Sequence, residues 1–110
     1  MTHFSDPTDR PFTEIGGGVR RRVRLELPEM MVVEFAFEPG AVGALHSHPH
    51  IQSSYVEEGS FEVTIGSETR HLGKGGCYIV PAGAVHGVRA IERGVLIDVF
   101  TPRRDDFLTG

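Results

Sequence analysis

Alternating apolar and polar residues predict that the first part of the chain forms β-strands. In residues 19–26, valine and leucine alternate with arginine and glutamate, and residues 31–38 alternate more regularly. Successive side chains of a strand point to opposite faces, so a period of two predicts strands with one buried face. The buried face of the second strand would carry Met31, Val33, Phe35 and Phe37.

Short apolar runs separated by turn residues continue this pattern. Further strands are predicted over residues 52–57, 61–65, 77–80 and 95–100. The 14 glycines and 7 prolines favour turns between them. No helix of ordinary length is indicated, and only the polar tail after Phe100 is suited to a short helical turn. Because many short strands must close or stack to protect their edges, we expect an all-β barrel or a two-sheet jelly roll.

Length and charge limit the class of protein. A chain of 110 residues predicts one domain, which we expect over residues 15–110 after an N-terminal arm over residues 1–14. The net charge of -4 argues against nucleic acid or an anionic membrane as a partner. No stretch has the length of a membrane-spanning helix and no secretory signal is evident, so we expect a cytoplasmic protein.

Three local features have simple structural interpretations. The arginine-rich run over residues 20–24 is expected at a solvated sheet edge, because alternation splits its side chains between two faces. Cys77 is the single cysteine, so we expect no internal disulfide, and its position in a strand predicts a small buried thiol. Tyr78 is expected to pack in the core.

A cluster of histidines is the main candidate for chemistry. His46 and His48 point to the same side of an extended segment, whereas Pro49 interferes with regular pairing before His50. Imidazole suits borderline divalent metals, Gln52 offers a carbonyl oxygen, and His86 follows a turn at residues 81–83. The spacing alone leaves two interpretations open, a metal site or solvated loop histidines. His50 and His71 are not counted as ligands.

Two gapped motifs resemble those of the cupin superfamily. The first is Gly, five residues, His-x-His, three residues, an acid, six residues and Gly, and it matches Gly40, His46, His48, Gln52 and Gly59, with Gln in the position of the acid. The second is Gly, five residues, Pro-x-Gly, two residues, His, three residues and Asn. It matches Gly75, Pro81, Gly83 and His86, with Ala90 in the position of Asn.

The cupin resemblance implies a fold and a metal. The fold would be a double-stranded β-helix, also called a jelly-roll barrel, holding one divalent ion with His46, His48, Gln52 and His86. Four neutral ligands leave the metal charge uncompensated, which favours Lewis-acid chemistry over redox chemistry. Nickel, zinc, manganese, iron and copper all accept imidazole, so the sequence does not identify the metal.

An acidic residue interrupts the last apolar strand. Asp98 shares one face of residues 95–100 with Leu96 and Phe100, and a buried carboxylate needs a partner or a chemical purpose. Asp98 could therefore be an acid or base beside the metal, with Arg104 gripping a substrate carboxylate. The alternative is a structural ion pair between Asp98 and Arg104, and the residues alone leave both possibilities open.

Longer stretches resemble the KdgF-type pectin-degradation cupins. The resemblance lies in residues 16–19, 40–43, 46–50 and 96–107 and extends over about the whole chain after the arm. It implies the same four metal ligands and a functional signature at Asp98, Phe100 and Arg104. It also implies an isomerase-type enzyme that linearises 4,5-unsaturated monouronates released from pectin or alginate.

The sequence also leaves alternative functions open and predicts an oligomeric state. The alternatives are another metal cupin enzyme, such as a dioxygenase, and a non-catalytic sugar-binding cupin. Small cupins commonly dimerise by pairing edge strands, so we expect a homodimer. The arm and residues 19–25 are the candidate contact segments.

Overall fold

The structure, a computed structural model, describes residues 3–108, and this part of the chain contains ten β-strands and one 3-10 turn. The strands are β1 (Thr13–Gly16), β2 (Val19–Leu27), β3 (Met30–Phe37), β4 (Val42–His46), β5 (Ile51–Glu58), β6 (Ser60–Ile65), β7 (Glu68–Gly73), β8 (Cys77–Val80), β9 (His86–Ala90) and β10 (Gly94–Thr101). The 3-10 turn is Asp105–Phe107, in the polar tail where a helical turn was predicted.

The strands form two antiparallel sheets, as a jelly roll requires. One sheet has six strands in the order β1-β2-β3-β10-β5-β8, and the other has four in the order β4-β9-β6-β7. Apolar side chains from both sheets meet in one cluster, where Phe37 of the first sheet packs edge-to-face on Phe61 of the second at 5.2 Å between ring centroids. The predicted all-β class is confirmed.

β10 is a central strand and sets the position of the candidate acid. It pairs with β3 on one side and with β5 on the other, so Asp98 lies opposite both Val33 and Ser54, and Phe100 lies opposite Gln52. Alternate residues of β10 are buried, among them Leu96, Asp98 and Phe100. This is the face that the alternation predicted to be shared.

The expectation that the arginine-rich run lies at a solvated edge is wrong. β2 is paired on both sides, with β1 and with β3, so it is not an edge strand and cannot supply the edge contact expected for a dimer. Arg22 Nε donates to Glu34 Oε1 at 2.8 Å, and Arg24 Nη1 donates to the same oxygen at 3.1 Å. Arg21 lies between the buried Val19 and Val23 and belongs to the inner face.

Cys77 is exposed, so the prediction of a buried thiol is also wrong. Its strand, β8, is an edge strand of the six-stranded sheet, and the side chains of Cys77 and Ile79 point outward while Val80 is buried. Alternation therefore decides the environment of this residue more than its apolar neighbours do.

The N-terminal residues bind along β2. Arg22 donates to the carbonyl oxygen of Pro7, and Arg24 Nε donates to Ser5 Oγ at 2.9 Å. β1 begins at Thr13, and the division between an arm and the barrel at residue 14 stays a prediction. Within the described residues, no helix has the length and apolar character needed to cross a membrane.

Candidate active site

Three histidines converge at one end of the barrel. His46 ends β4 and pairs in register with His86, which begins β9, while His48 follows in the loop that leads to β5. One ring nitrogen from each of the three lies within 4.8 Å of the other two. His48 and His86 are buried and His46 is exposed, so the cluster opens toward solvent on one side.

Backbone carbonyl oxygens hold the Nδ1 atoms of the three histidines. Nδ1 of His46 lies 2.8 Å from the carbonyl oxygen of Ala44, Nδ1 of His86 lies 3.0 Å from that of Ala84, and Nδ1 of His48 lies 3.1 Å from that of His50. A carbonyl oxygen only accepts hydrogen bonds, so each Nδ1 carries the proton. Each Nε2 is then left with a lone pair.

The amide of Gln52 is oriented by two side chains of its own sheet. Its Nε2 donates to Ser54 Oγ at 3.0 Å and to Asp98 Oδ2 at 3.3 Å. Oε1 therefore faces the histidines, 3.0 Å from Nε2 of His48 and 3.2 Å from Nε2 of His86. Hydrogen-bond acceptors at these distances repel one another unless a cation lies between them.

The donor set fits a divalent metal. Three imidazole nitrogens lie within 4.8 Å of one another, the amide oxygen of Gln52 lies beside two of them, and borderline metals accept such ligands. Burial lowers the pKa of His48 and of His86, which keeps the rings in the neutral form that binds metals. The cluster of His46, His48 and His86 can hold a metal ion, and the fourth ligand, Gln52, stays a prediction that its position supports.

Asp98 lies at the opposite end of the Gln52 amide from the histidines, outside the cluster. Its side chain is buried, and burial, which Ser54 and Arg104 oppose only in part, raises its pKa to about 7. Oδ2 accepts the hydrogen bond from Gln52, whereas Oδ1 has no hydrogen-bond partner among the described residues. A carboxyl group of this kind can both give and take a proton near neutral pH.

Arg104 is paired with Asp106 and not with Asp98. Arg104 Nε donates to Oδ1 of Asp106 at 3.1 Å, and Nη2 donates to Oδ2 at 2.9 Å. The interpretation of Asp98 and Arg104 as a structural ion pair is therefore wrong. The guanidinium of Arg104 also lies over the rings of Phe100 and Phe107, at 5.1 and 4.2 Å from their centroids.

A single cavity connects these groups. It has a volume of about 320 Å³, which is within the usual range for small-molecule sites. Its walls include most of the predicted site residues, namely His46, Gln52, His86, Asp98, Phe100 and Arg104. His48 does not line the cavity, and the centroid of its ring lies 5.7 Å from that of Phe100.

Tyr78 and Arg21 also line this cavity, and sequence reasoning assigned neither of them to it. Tyr78 was expected only to pack in the core; it does pack there, and it also faces the cavity. Burial, then the charge of Asp98, raises the pKa of Tyr78, so its phenol stays protonated. Alternation along β8 and β2 is the sequence feature that could have identified both residues, since it directs their side chains toward the interior.

His50 and His71 lie outside the metal cluster, where they were predicted. His50 contributes its carbonyl oxygen to Nδ1 of His48. His71 lies on β7 and is exposed.

The chain matches the family model described as a cupin domain over residues 33–100. It is also 42% identical over 110 residues to the pectin degradation protein KdgF of Dickeya dadantii, an alignment that covers 98% of this chain and 100% of the relative. The chain belongs to the cupin family, among its KdgF-type members.

Other relatives agree with this placement. The cupin shares 33% identity over 99 residues with oxalate decarboxylase OxdC of Bacillus subtilis, covering 83% of this chain and 25% of that protein. Among solved structures, an RmlC-like cupin from Shewanella frigidimarina superposes with a TM-score of 0.94 and 38% identity, covering 97% of this chain and 96% of the other. KdgF from a Halomonas species superposes with a TM-score of 0.93 and 35% identity, covering 97% and 99%.

Proposed function

We propose that this cupin is a metal-dependent isomerase that linearises 4,5-unsaturated monouronates released from pectin or alginate. One observation carries the proposal: Asp98, a buried carboxyl group whose Oδ1 has no hydrogen-bond partner among the described residues, lines the same cavity as His46, His86 and Arg104. The likeness to two proteins named KdgF, one of them named as a pectin degradation protein, supports a uronate as the substrate.

His46, His48, Gln52 and His86 would hold one divalent metal, whose identity among nickel, zinc, manganese, iron and copper is left open. When bound, the metal would supply a Lewis acid that stabilises negative charge on substrate oxygen atoms. The neutral ligand set leaves its charge uncompensated, which suits an anionic substrate. Proton transfer and the positioning of the substrate would be carried out by side chains that line the cavity.

Asp98 would transfer the proton. Ring opening removes the proton of the anomeric hydroxyl, forms the C1 carbonyl and breaks the bond from C1 to the ring oxygen. The electron pair of that bond passes to the ring oxygen, which becomes the oxygen of the enolate. The enolate then takes up a proton at C4 to give the open-chain keto form, so the reaction is an isomerisation. With a pKa of about 7, Asp98 can accept the first proton and return it to carbon, directly or through water.

Arg104 and Phe100 would hold the sugar acid in position. Nε and Nη2 of Arg104 are bound to Asp106, and Nη1 has no acceptor among the described residues and can donate to a substrate carboxylate. Phe100, only 1% exposed, forms the wall between Arg104 and the ring of His48. A substrate that is already held in position loses less entropy on reaching the transition state.

The test follows the ultraviolet absorbance of an unsaturated monouronate, which disappears when the conjugated enol ether is converted to a ketone. We expect the loss of absorbance to depend on the protein and to stop after a chelator removes the metal. Asp98→Asn should lower turnover by roughly 10²- to 10⁴-fold while retaining the metal. Asp105→Asn is the control, because this exposed carboxylate pairs only with Arg103.

The alternative functions give different results. A binding module would bind the uronate and leave its absorbance unchanged, and a dioxygenase would consume oxygen. Wild-type turnover by Asp98→Asn with bound metal would refute the proton-transfer role.

We also propose a homodimer in the cytoplasm, as expected from the sequence. β1 is an edge strand of the six-stranded sheet and is the remaining candidate for the contact between copies. Sedimentation velocity of the wild type and of Thr13→Pro tests it, because proline disfavours the strand pairing that such a contact needs. A wild-type monomer would refute the dimer.

A further inference from the structure

Arg21 occupies a position that ordinarily belongs to the core. It lies on the inner face of β2 between two buried valines, Val19 and Val23, and opposite Phe35 of β3. Its side chain lines the cavity that also contains Asp98 and Arg104. A cation on the core side of a strand requires compensation by a partner or a ligand.

Arg22, Arg24 and Arg104 have such partners, but Arg21 does not. Arg22 and Arg24 bind Glu34, and Arg104 is bound in a fork by Asp106. Within residues 3–108, the side chain of Arg21 makes no hydrogen bond or ion pair. Its contact is instead with Phe107, whose ring centroid lies 3.9 Å from its guanidinium carbon.

The same ring brings Arg21 and Arg104 together. The guanidinium of Arg104 lies 4.2 Å from the centroid of Phe107, so both cations are in contact with one aromatic side chain at the cavity. These two cations share one neighbouring carboxylate, that of Asp106. Burial lowers the pKa of Arg21; the charge of Asp106 opposes this effect and the charge of Arg104 adds to it, and the net pKa is lowered, as expected for an incompletely compensated cation.

We propose that Arg21 is a specificity-determining residue that binds the carboxylate of the sugar-acid substrate, sharing this anion with Arg104. A guanidinium fork matches the two oxygens of a carboxylate, and all five N–H donors of Arg21 are free, whereas two of the five donors of Arg104 are bound to Asp106. A bound carboxylate would supply the missing negative charge between the two cations. This inference rests on the proposed function, because it takes the substrate to be a uronate.

The experiment compares three variants of the metal-loaded protein. Arg21→Gln removes the charge and the fork, and Arg21→Lys restores only the charge. Arg20→Gln is the matched control, because Arg20 is on the same strand, packs on Phe12 at 4.7 Å and does not line the cavity. Kinetics with an unsaturated monouronate are combined with calorimetric titration of galacturonate and of uncharged galactose, and with melting temperatures.

We expect Arg21→Gln to raise KM by roughly 10- to 100-fold with kcat changed by only a few-fold, the range for loss of a charge-assisted hydrogen bond. The preference of the wild type for galacturonate over galactose should fall by a similar factor in this variant and return in part in Arg21→Lys. Arg20→Gln should resemble the wild type. Unchanged KM and unchanged preference for galacturonate in Arg21→Gln would overturn the proposal. A lower melting temperature and kcat without a change in KM would do so too, since they indicate only a structural role.

The two proposals fail in different measurements. If the wild type leaves the absorbance of the monouronate unchanged, the proposed function is refuted, and the comparison of galacturonate with galactose still decides the role of Arg21. If the wild type turns over the monouronate but binds galacturonate and galactose equally well, the role of Arg21 is refuted and the enzymatic function remains.

Discussion

Gln52 and Asp98 are joined by a hydrogen bond of 3.3 Å from Nε2 of the amide to Oδ2 of the carboxyl group. The opposite end of the same amide, Oε1, faces His48 and His86. Gln52 thus connects the predicted metal position to the predicted proton carrier through three bonded atoms. A glutamate, the usual residue of the cupin motif, has no donor for Asp98, so the glutamine serves both sides of the site.

Gln52→Glu is expected to lower kcat by at least roughly 10-fold with the metal retained. The substitution would place a second carboxylate oxygen beside Oδ2 of Asp98, and like charges at such a distance oppose ionisation of both groups. Turnover and metal content measured together check this. Ser53→Glu is the control, because it adds the same charge to the exposed face of β5. Full activity of Gln52→Glu would show that the amide donor has no role in the reaction.

Removal of a histidine of the cluster is expected to abolish stabilisation by metal. Added metal at 100 times its dissociation constant should stabilise the wild type by about 2.7 kcal/mol. His86→Ala should lose this increase, since it removes a buried imidazole of the cluster, whereas His71→Ala on the exposed face of β7 should keep it. Melting temperature and metal stoichiometry, with and without a chelator, are the measurements. Equal metal-dependent stabilisation of both variants would contradict the assignment of the cluster.

The sequence predicted strands that show regular alternation, such as β10, and missed β1, β4, β7 and β9. β10 alternates between buried and partly exposed residues throughout and β3 does so over residues 30–34, and both patterns are visible in the sequence. β7 is polar and exposed at nearly every position because it pairs with β6 on one side only. Hydrophobic periodicity reflects the burial of one face of a strand. An edge strand that is held mainly by backbone hydrogen bonds and buries few side chains therefore shows little periodicity.

The candidate site could be predicted as far as motif spacing and alternation extend. The two motifs indicated His46, His48 and His86, and the structure brings these residues together. The pairing of Arg104 with Asp106 was not predictable, because it depends on how the tail folds back after β10. Alternation did place Arg21 between two buried valines, but a sequence does not show whether an inward position faces a core or a cavity.

Glu34→Gln is expected to lower the free energy of unfolding by about 1–3 kcal/mol at neutral pH, the range for hydrogen bonds to charged groups. Burial raises the pKa of Glu34, but hydrogen bonds and charges from Arg22 and Arg24 outweigh it, so the net pKa is lowered. A lowered folded-state pKa stabilises the protein above the unfolded-state pKa, and this stabilisation is lost as pH falls through the folded-state value.

The pH dependence provides the check on this network. Urea unfolding of the wild type and of Glu34→Gln should differ by a constant amount around neutral pH, and the difference should shrink in acid. Glu62→Gln is the control, because its pair with Arg89 is about half exposed, at 3.6 Å. A difference for Glu34→Gln that grows in acid would contradict the predicted sign.

Gly59→Ala is expected to lower the free energy of unfolding by about 3 kcal/mol or more, and Gly66→Ala by about 1–2 kcal/mol. Both glycines have positive φ angles, +78° and +59°, and both carry the backbone cost of a Cβ in that region. Only at Gly59 would the new atom also meet neighbouring backbone, with the Cα of Gly94 at 2.8 Å and the carbonyl of Arg93 beside it. At Gly66 nothing lies within 4 Å. Because the pair differs mainly in this contact, urea unfolding of the two variants separates the steric cost from the conformational cost. Equal losses would mean that the hairpin after β5 shifts to accommodate the methyl group, and that the close approach of residues 93 and 94 does not constrain it.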